Sequence, residues 1–376
     1  MLQNMKDPAA GKSEVQTFPH ERIYFRPSRD TINNVHFRPS GQTSEGELDL
    51  DTGTHLVLGL GLAGLATVDP AVSTDHTVMT AVLIGTVLGQ QAPDSDGLFR
   101  LKGNAAYIRN HRGKSHSLPA VALWTIFITL LLGLFFSELP ILHVGFWVFL
   151  AVALHVLSDC FNTYGTQAAW PLTPKWISWN IIHIFDPFLF ISHLAAILLW
   201  SFHWVRPQII FPSLYALIFI YYVWRTFAHA MEERKLRYLD HDGGEGDRYV
   251  AIPTVQWHIW NVVKLQSDGG YRLGELRRGQ LRWIDLIRCA EHPAVEASKT
   301  HPDVAAFLYF SSYACAELKT HHWGYEVRWV DVRYRHRKQY PFLAVLHLDQ
   351  ELQPLDSYVG WVSETRLEKK LKADLY

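Results

Sequence analysis

Apolar stretches separated by short polar segments fill the middle of this chain, and both of its ends are polar. In order along the sequence, the stretches cover residues 55–68, 77–89, 118–136, 139–157, 184–205 and 209–224. A helix needs roughly 20 apolar residues to cross the hydrocarbon core of a membrane, and the last four stretches approach or reach that length. The first two are shorter, which leaves open whether they cross fully. The pattern predicts a mainly α protein, a polytopic membrane bundle of about six helices.

The two ends differ from the bundle in character. Residues 1–50 are rich in Asn, Ser, Gly, Pro and charged residues without sustained periodicity, which predicts a largely disordered N-terminal extension. Residues 238–376 are polar and punctuated by glycine. We therefore divide the chain into an extension, a membrane-embedded domain at 51–237, and a C-terminal domain.

The C-terminal domain carries strand patterns. Residues 325–335 read YEVRWVDVRYR, an alternation with a period of two that is typical of a half-buried strand. Residues 342–348 and 358–362 are further predicted strands, and the apolar run 307–310 is another candidate. The expected fold of this domain is β-rich or α+β.

Lysine and arginine are distributed unevenly between the two sides of the predicted bundle. With six helices both termini lie on one side, and all Lys and Arg of the first 237 residues except Arg206 fall in segments on that side. Loops rich in Lys and Arg remain in the cytoplasm. The sequence therefore predicts a multi-pass protein with both termini, and the C-terminal domain, in the cytoplasm.

Overall composition excludes some classes of protein. A formal net charge of -1 provides no basic footprint for nucleic acid, so no nucleic-acid partner is expected. The 3 cysteines are an odd number without Cys-x-x-Cys spacing, and they indicate neither a disulfide framework nor a zinc ribbon.

Five short segments at the ends of the predicted helices contain residues that could do chemistry. They are DTGTH at 51–55, QAPDSD at 91–96, HRGKSHS at 111–117, HVLSDCFNTYG at 155–165 and DP at 186–187. Taken singly, each has a plainer explanation. Asp51 could cap a helix, the acids after Pro93 could form a turn, and the basic loop could only set the topology.

The combination is more informative, because the charge-derived topology places all five segments at cytoplasmic helix ends. Ionisable groups at the ends of apolar helices are functional candidates. His155 and Asp159 are four residues apart and share one helix face, as two ligands of one metal must. The candidate side chains offer imidazoles and carboxylates but no thiolates, a mixture that suits zinc, manganese or iron. There are enough of them to hold two or three ions. The candidate metal ligands are His55, Asp94, Asp96, His111, His116, His155, Asp159 and Asp186.

In this order the segments resemble the YdjM-like family of bacterial membrane-bound metal-dependent hydrolases. The resemblance rests on THLVLGLGLAGL from Thr54, APDSD from Ala92, HRGKSHSL from His111, HVLSDCFNTYGT from His155 and DP from Asp186, and it covers roughly residues 50–225. The whole chain looks like the longer, YfhP-like Bacillus-type branch, whose C-terminal domain carries phrases similar to YEVRWVDVRYR and SYVGW.

The resemblance implies a bacterial cell membrane and a distant relation to zinc-dependent phospholipase C. Those are helical enzymes whose His/Asp-bound zinc clusters cleave phosphate esters. It also implies a ligand set in this chain, namely His55, Asp94, His111, His116, His155 and Asp159.

The leading hypothesis is a hydrolase that uses a divalent metal, zinc first and manganese or iron as alternatives. Its expected substrate is a phosphoester, either a lipid headgroup or a lipid-linked phosphate, so membrane lipids are the expected partners. Asp94 or Asp96 would act as general base or bridging ligand. Arg112 and Lys114 would stabilise developing charge. Asn162 would orient a ligand or the attacking water.

Two rival hypotheses remain. In the first, the protein is a non-enzymatic membrane-tethered regulator or sensor with a structural metal site, whose C-terminal domain binds a protein partner of unknown identity. The run Arg328, Arg333, Arg335 and Arg337 supports that reading unless it is only a solvated strand face. The second, a metal or proton transporter, is disfavoured because transporters place binding groups near the bilayer midplane.

Overall fold

The computed structural model describes residues 44–335, 339–363, 366–367 and 370–371, with side chains from residue 51 onward. The predicted disorder of residues 1–43 and the basic residue Arg337 lie outside these ranges. Within them, the first helix begins at Ser44, well before the apolar stretch that starts at His55.

The helical part of the described chain is built from eight α-helices. They are α1 (Ser44–Leu65), α2 (Pro70–Ser73), α3 (His76–Gln91), α4 (Asn104–Asn110), α5 (Leu118–Phe135), α6 (Ile141–Phe161), α7 (Pro187–Ser201) and α8 (Pro207–Leu239). Several of these helices begin at a residue whose side chain caps the first turn. The side chains of Asp75, Ser117 and Asp186 cap α3, α5 and α7 by accepting main-chain N–H groups of the first turn.

Three of the described helices, α5, α6 and α8, are long and apolar enough to cross a membrane. α7 is apolar but has only 15 residues. The mainly helical N-terminal part is therefore confirmed. The count of six crossing helices and their orientation stay predictions.

Close packing of α3 against both α1 and α6 positions the segments that carry the candidate ligands. A Cβ atom built on Gly59 would lie 2.9 Å from Cα of Val87, and one on Gly89 would lie 2.9 Å from Cβ of Ala151. Only glycine permits such an approach, as expected for small residues at helix contacts in membranes. As a result, the end of α3 lies between the 51–55 turn of α1 and the end of α6.

The C-terminal domain contains two four-stranded antiparallel sheets, each a meander in chain order. The first has β1 (Arg248–Pro253), β2 (Ile259–Leu265), β3 (Tyr271–Arg277) and β4 (Gln280–Ile287), and the second has β5 (Ala314–His321), β6 (Gly324–Asp331), β7 (Phe342–Leu348) and β8 (Pro354–Trp361). Two helices, α9 (Pro293–Ser298) and α10 (Pro302–Phe310), precede β5. The expected mixture of strands and helices is confirmed, with β7 at the predicted residues.

Two expectations for this domain are wrong. The run 307–310 is the last turn of α10 and not a strand, because Phe307 and Phe310 are three residues apart and both pack on Phe342. A four-residue apolar run cannot distinguish the two by its period. In addition, Cys289 and Cys315 form a disulfide that joins the segment after β4 to β5. Their pairing depends on how the strands are arranged, which spacing along the chain does not show.

The helical part and the C-terminal domain share packing. Ile108 of α4 is buried in one core with Phe307 and Leu346. The 33-residue α8 is about 50 Å long at 1.5 Å per residue, so it exceeds the hydrocarbon thickness of a bilayer. Its last turns carry Leu236 into a core with Trp260 of the first sheet. The C-terminal domain is therefore held against the ends of the membrane helices.

Candidate metal centre

Side chains from α1, from α6, from a 3-10 helix and from one loop meet where α1, α3 and α6 come together. α1 contributes Asp51 and His55, and the last turns of α6 contribute His155 and Asp159. The 3-10 helix Pro93–Lys102, which directly follows α3, provides Asp94 and Asp96. The loop between α4 and α5 provides His111, Arg112 and His116. Most of these groups are buried, so the site lies inside the protein and not on its surface.

The first group of possible ligands consists of Asp94, His116, His155 and Asp159. The Nε2 atoms of His116 and His155 are 3.2 Å apart. Asp94 Oδ1 lies 3.4 Å and 3.7 Å from these two nitrogen atoms, and Asp159 Oδ2 lies 3.3 Å and 3.5 Å from them. Ligand atoms about 2.0–2.1 Å from a tetrahedral zinc ion are roughly 3.3 Å from one another. These donor atoms already stand at the spacing that such an ion requires.

Two carboxylate oxygens of this group support its fit to a cation. Asp94 Oδ1 and Asp159 Oδ2 are buried and accept no hydrogen bond from the described residues. Buried acceptors are normally satisfied, because each one left without a partner costs free energy. A divalent ion bound between them would satisfy both. Of the two aspartates, Asp94 has the more accessible side chain, with an exposed fraction of 20% against 1%.

Gln90, the next-to-last residue of α3, fixes the orientation of two histidines. Its main-chain carbonyl accepts from His155 Nδ1 at 2.7 Å, and its side-chain Oε1 lies 3.1 Å from His55 Nδ1. The Gln90 amide donates to the carbonyl of Ala151 at 2.9 Å, which sets which end of the amide faces His55. Both imidazoles therefore carry their proton on Nδ1 and present the Nε2 lone pair to the centre.

A second group, Asp51, His55 and Asp159, adjoins the first through a shared carboxylate. Asp159 Oδ2 faces the first group, and its Oδ1 lies 3.6 Å from His55 Nε2. His55 Nε2 is in turn 3.7 Å from Asp51 Oδ1. The Asp159 carboxylate thus has the placement of a ligand that bridges two cation positions.

Arg112 occupies the side of this second group. Its guanidinium contacts Asp51 Oδ2, lies 3.3 Å from Asp159 Oδ1, and donates to Asn162 Oδ1 at 3.2 Å. Arg112 is 1% exposed. Burial opposes its charge, but the neighbouring carboxylates raise the pKa of Arg112 further above its usual value. The side chain is therefore a fixed buried cation that offsets part of the negative charge of Asp51 and Asp159.

Asp96 organises the loop that carries His111, Arg112 and His116. Its Oδ1 lies 2.7 Å from His111 Nδ1, and its Oδ2 accepts from the main-chain N–H of Arg112 at 2.9 Å and from the Ser115 hydroxyl. Burial raises the pKa of Asp96, but these hydrogen bonds and the nearby imidazoles lower it below its usual range. A third group, Asp94, Asp96 and His111, includes this carboxylate, although both of its oxygens already accept hydrogen bonds.

The structure brings together seven of the eight predicted metal ligands. Asp186 stands apart from the three groups of the described residues. Its Oδ1 caps α7, and its Oδ2 accepts from the Tyr221 hydroxyl at 2.5 Å. Lys114 is exposed, with Nζ 5.1 Å from the centre of the Trp170 ring. Asn162 lies against the centre, since its amide donates to Asp159 Oδ1 at 3.3 Å.

Sequence reasoning missed Asp51 and Gln90. Asp51 belongs to one of the five candidate segments but was left out of the ligand set, with a helix cap as its plainer explanation. α1 begins at Ser44, so Asp51 does not cap it. Its spacing of four from His55 puts both on one face of α1, as for His155 and Asp159. Gln90 is a fully buried amide that directly follows the apolar and small residues 81–89 of α3. That polar interruption was the signal for it.

The described arginines of the C-terminal run are paired within the protein. Arg328 Nε lies 2.5 Å from Glu326, Arg333 forms a pair with Asp331 at 2.7 Å, and Arg335 lies 3.2 Å from Asp285. They therefore provide little free positive charge for a partner.

A helical membrane protein with a buried His/Asp cluster and a two-sheet C-terminal domain is the class that the fold and site define. Residues 50–231 match the family model described as YdjM inner membrane protein, and residues 293–371 match the YfhP C-terminal alpha/beta plait domain. The chain is 42% identical over 327 residues to the "Uncharacterized protein YfhP" of Bacillus subtilis (strain 168), an alignment that covers 86% of this chain and 99% of that protein. No solved structure matches the chain. The chain belongs to the YdjM family of membrane proteins, with the C-terminal domain of the YfhP type.

Proposed function

We propose that this protein is a membrane-bound metal-dependent hydrolase that cleaves a phosphoester, either a lipid headgroup or a lipid-linked phosphate. The observation that carries the proposal is the group Asp94, His116, His155 and Asp159, whose donor atoms have metal-ligand spacing and include two buried carboxylate oxygens without hydrogen bonds. Family membership supports it, since the helical domain matches a membrane-protein family and holds this cluster.

The ligand chemistry favours zinc, with manganese or iron as alternatives, because the donors are imidazoles and carboxylates. A divalent ion held there would lower the pKa of a water molecule and neutralise charge on phosphate oxygens. Asp94, the more accessible carboxylate, is placed to accept a proton from water or to be an additional ligand. Asn162 and Gln90 hold Asp159 and the imidazoles in position.

For Arg112 we propose a role other than the stabilisation of developing charge. Its guanidinium is directed at Asp51 and Asp159, so we assign it to positioning these carboxylates and not to contact with phosphate. Lys114 belongs to the same loop and is exposed, so it remains the candidate for attracting an anionic substrate.

For the membrane, we propose a multi-pass arrangement with both termini in the cytoplasm and the centre near the headgroup level. Two observations support it. The centre lies at the end of α6 and at the start of α5, which are two of the three candidate membrane spans. The 33-residue α8 is longer than a bilayer crossing requires, and its last turns pack on the C-terminal domain. Reporter fusions to both termini test the orientation, and a periplasmic signal from either one would contradict it.

The first experiment measures how many metal ions each chain contains. Full-length protein purified in detergent without chelator is measured by mass spectrometry beside His155→Ala and Asp94→Asn. We expect one or more zinc or manganese ions per chain in the wild type and a loss in both variants. Metal-loaded protein should then hydrolyse a phosphoester that Asp94→Asn leaves intact while that variant keeps its melting temperature. Folded wild-type protein that contains no metal would contradict the proposal.

One observation favours a second candidate function, that of a non-enzymatic membrane-tethered regulator with a structural metal site. Four protein ligands around one ion form a closed shell, which is typical of structural zinc sites. If the site is structural, His155→Ala should unfold the protein, and no phosphoester should be cleaved by the wild type. Removing the C-terminal domain does not test this candidate cleanly, because Ile108 of the helical part belongs to the core of that domain.

A further inference from the structure

A pocket lies next to the metal centre, between the helical part and the C-terminal domain. It is a small pocket of about 30 Å³ that is partly open to solvent. His111 and Arg112 line it. The same two residues contact Asp96 and Asp159 of the centre, so the pocket adjoins the ligands directly.

The remaining walls are almost entirely aromatic or aliphatic. The helical part contributes Tyr107, whose ring stacks on His111 with centres 4.7 Å apart, and Tyr164, whose ring lies under the Arg112 guanidinium at 5.5 Å. The C-terminal domain contributes Phe310, Phe342 and Trp361. The rings of Phe342 and Trp361 are 5.0 Å apart and tilted by 32°. Such walls bind apolar surface and offer few partners to a polar group.

Hydrogen bonds across the two parts hold these walls in place. Arg333 donates to the carbonyl of Thr163 at 2.9 Å, next to Asn162, which positions Asp159. Asn104 donates to the carbonyl of Val359 at 3.0 Å, two residues before Trp361. The aromatic side chains of the C-terminal domain are thus fixed relative to the metal ligands.

We propose that the pocket binds an apolar organic group attached directly to the phosphate of the substrate, and that the C-terminal domain supplies the walls that select it. This inference rests on the proposed function, since it places the phosphate at the metal centre. The polar end of the ligand would meet His111 and the centre, while its apolar group would contact Tyr107, Tyr164 and Trp361. A flat ring and an alkyl chain share this chemistry, and the experiment below distinguishes them.

The test measures binding to zinc-loaded full-length protein in lipid nanodiscs by calorimetry. The probes are methylphosphonate, phenylphosphonate and hexylphosphonate, which share an anionic head that is not hydrolysed. We expect phenyl- or hexylphosphonate to bind roughly tenfold or more tightly than methylphosphonate, because apolar area is removed from water. A preference for phenyl indicates a flat group, and a preference for hexyl indicates a chain.

Two variants connect the preference to the pocket. Trp361→Ala and Tyr107→Ala should each reduce the preference to about threefold or less and leave methylphosphonate affinity near wild type. Both should lower the melting temperature, because the two rings pack against the core that the helical part and the C-terminal domain share. Trp361→Phe should retain most of the preference. Tyr238→Ala, at an 84% exposed aromatic, is the matched control. If methylphosphonate binds but the apolar groups add nothing, or if both alanine variants keep the full preference, the pocket assignment is wrong. If methylphosphonate itself fails to bind, the proposed function fails first.

Discussion

The imidazoles of His116 and His155 face one another with their Nε2 atoms 3.2 Å apart, and both side chains are fully buried. His155 donates its Nδ1 proton to the carbonyl of Gln90, so its Nε2 carries a lone pair. A lone pair aimed at a second imidazole and at two carboxylates needs a proton or a cation at their centre. Metal binding at this site therefore depends on the orientation of the two imidazoles.

Gln90→Ala should weaken metal binding roughly 10–100-fold with little change in fold, because His55 loses the acceptor that sets its tautomer. The main-chain bond to His155 remains. Competition for zinc with a chelator of known affinity measures the change. Gln91→Ala is the control, since its amide donates to the carbonyl of Thr52 at 3.3 Å and the hydrogen bonds of the described residues do not join it to a histidine. Equal zinc affinity in the two variants would show that Gln90 does not position the ligand.

Arg112→Met should lower the free energy of unfolding by about 3–5 kcal/mol, because Asp51 and Asp159 lose their buried counter-charge. Adding Asp51→Asn should recover part of the loss. Thermal unfolding in detergent, with and without zinc, measures both effects. Lys114→Met, which removes an exposed cation two residues away, should have little effect. Wild-type stability of Arg112→Met would contradict the role assigned to the guanidinium.

Lys264→Met should destabilise the C-terminal domain by about 3–5 kcal/mol at neutral pH, because Asp240 and Asp247 are buried against the ammonium at 2.6 Å and 2.9 Å. Thermal unfolding measures the change. Lys299→Met, which removes an exposed ammonium paired with Glu296, is the control and should differ from wild type by less than about 1 kcal/mol.

The same cluster predicts a pH dependence. Burial opposes charge on all three groups, but their hydrogen bonds and mutual attraction lower the pKa of Asp240 and Asp247 and raise that of Lys264. Stabilisation by the aspartates is complete above their unfolded pKa of about 3.9 and is lost as pH falls through the lowered values. Stabilisation by Lys264 is complete below about 10.4 and is lost only as pH rises through its raised value. The difference between wild type and Lys264→Met/Asp240→Asn/Asp247→Asn, in which none of the three positions titrates, should be constant from about pH 5 to 9 and change below about pH 4. A difference that instead changes between pH 5 and 9 would contradict this assignment.

Gly59→Ala should destabilise the helical part by about 1–3 kcal/mol, because the new Cβ would lie 2.9 Å from main-chain Cα of Val87 and α1 would have to move away from α3. That movement also separates His55 from Gln90, so zinc affinity should fall with the melting temperature. Gly53→Ala is the matched control on the same helix, since its Cβ would approach nothing closer than 3.8 Å. Equal melting temperatures would argue against close α1–α3 packing in the membrane.

Much of the site could be predicted because its residue types and their spacing lie within short segments of the sequence. His155 and Asp159 share a helix face by their spacing, and the segments with Asp94, His111 and His116 stand at helix ends. His55 was expected at a helix end as well, but it lies inside α1, which begins at Ser44. Asp186 does stand at a helix end, yet its carboxylate caps α7 and accepts from Tyr221. Position at a helix end therefore does not identify a ligand. Only the packing of neighbouring helices separates a ligand from a cap.

The amino-acid pattern alone was sufficient for the apolar helices, the polar C-terminal domain with its strand β7, and the His/Asp composition of the centre, since each depends on residue type and local period. Tertiary structure decided the rest. The role of Gln90, the burial of Arg112 against Asp51 and Asp159, the Cys289–Cys315 disulfide and the aromatic pocket all depend on distances between segments far apart in the chain. Helix and strand periods specify which face a side chain occupies. They do not specify which other face it will meet, because that follows from the packing of whole elements.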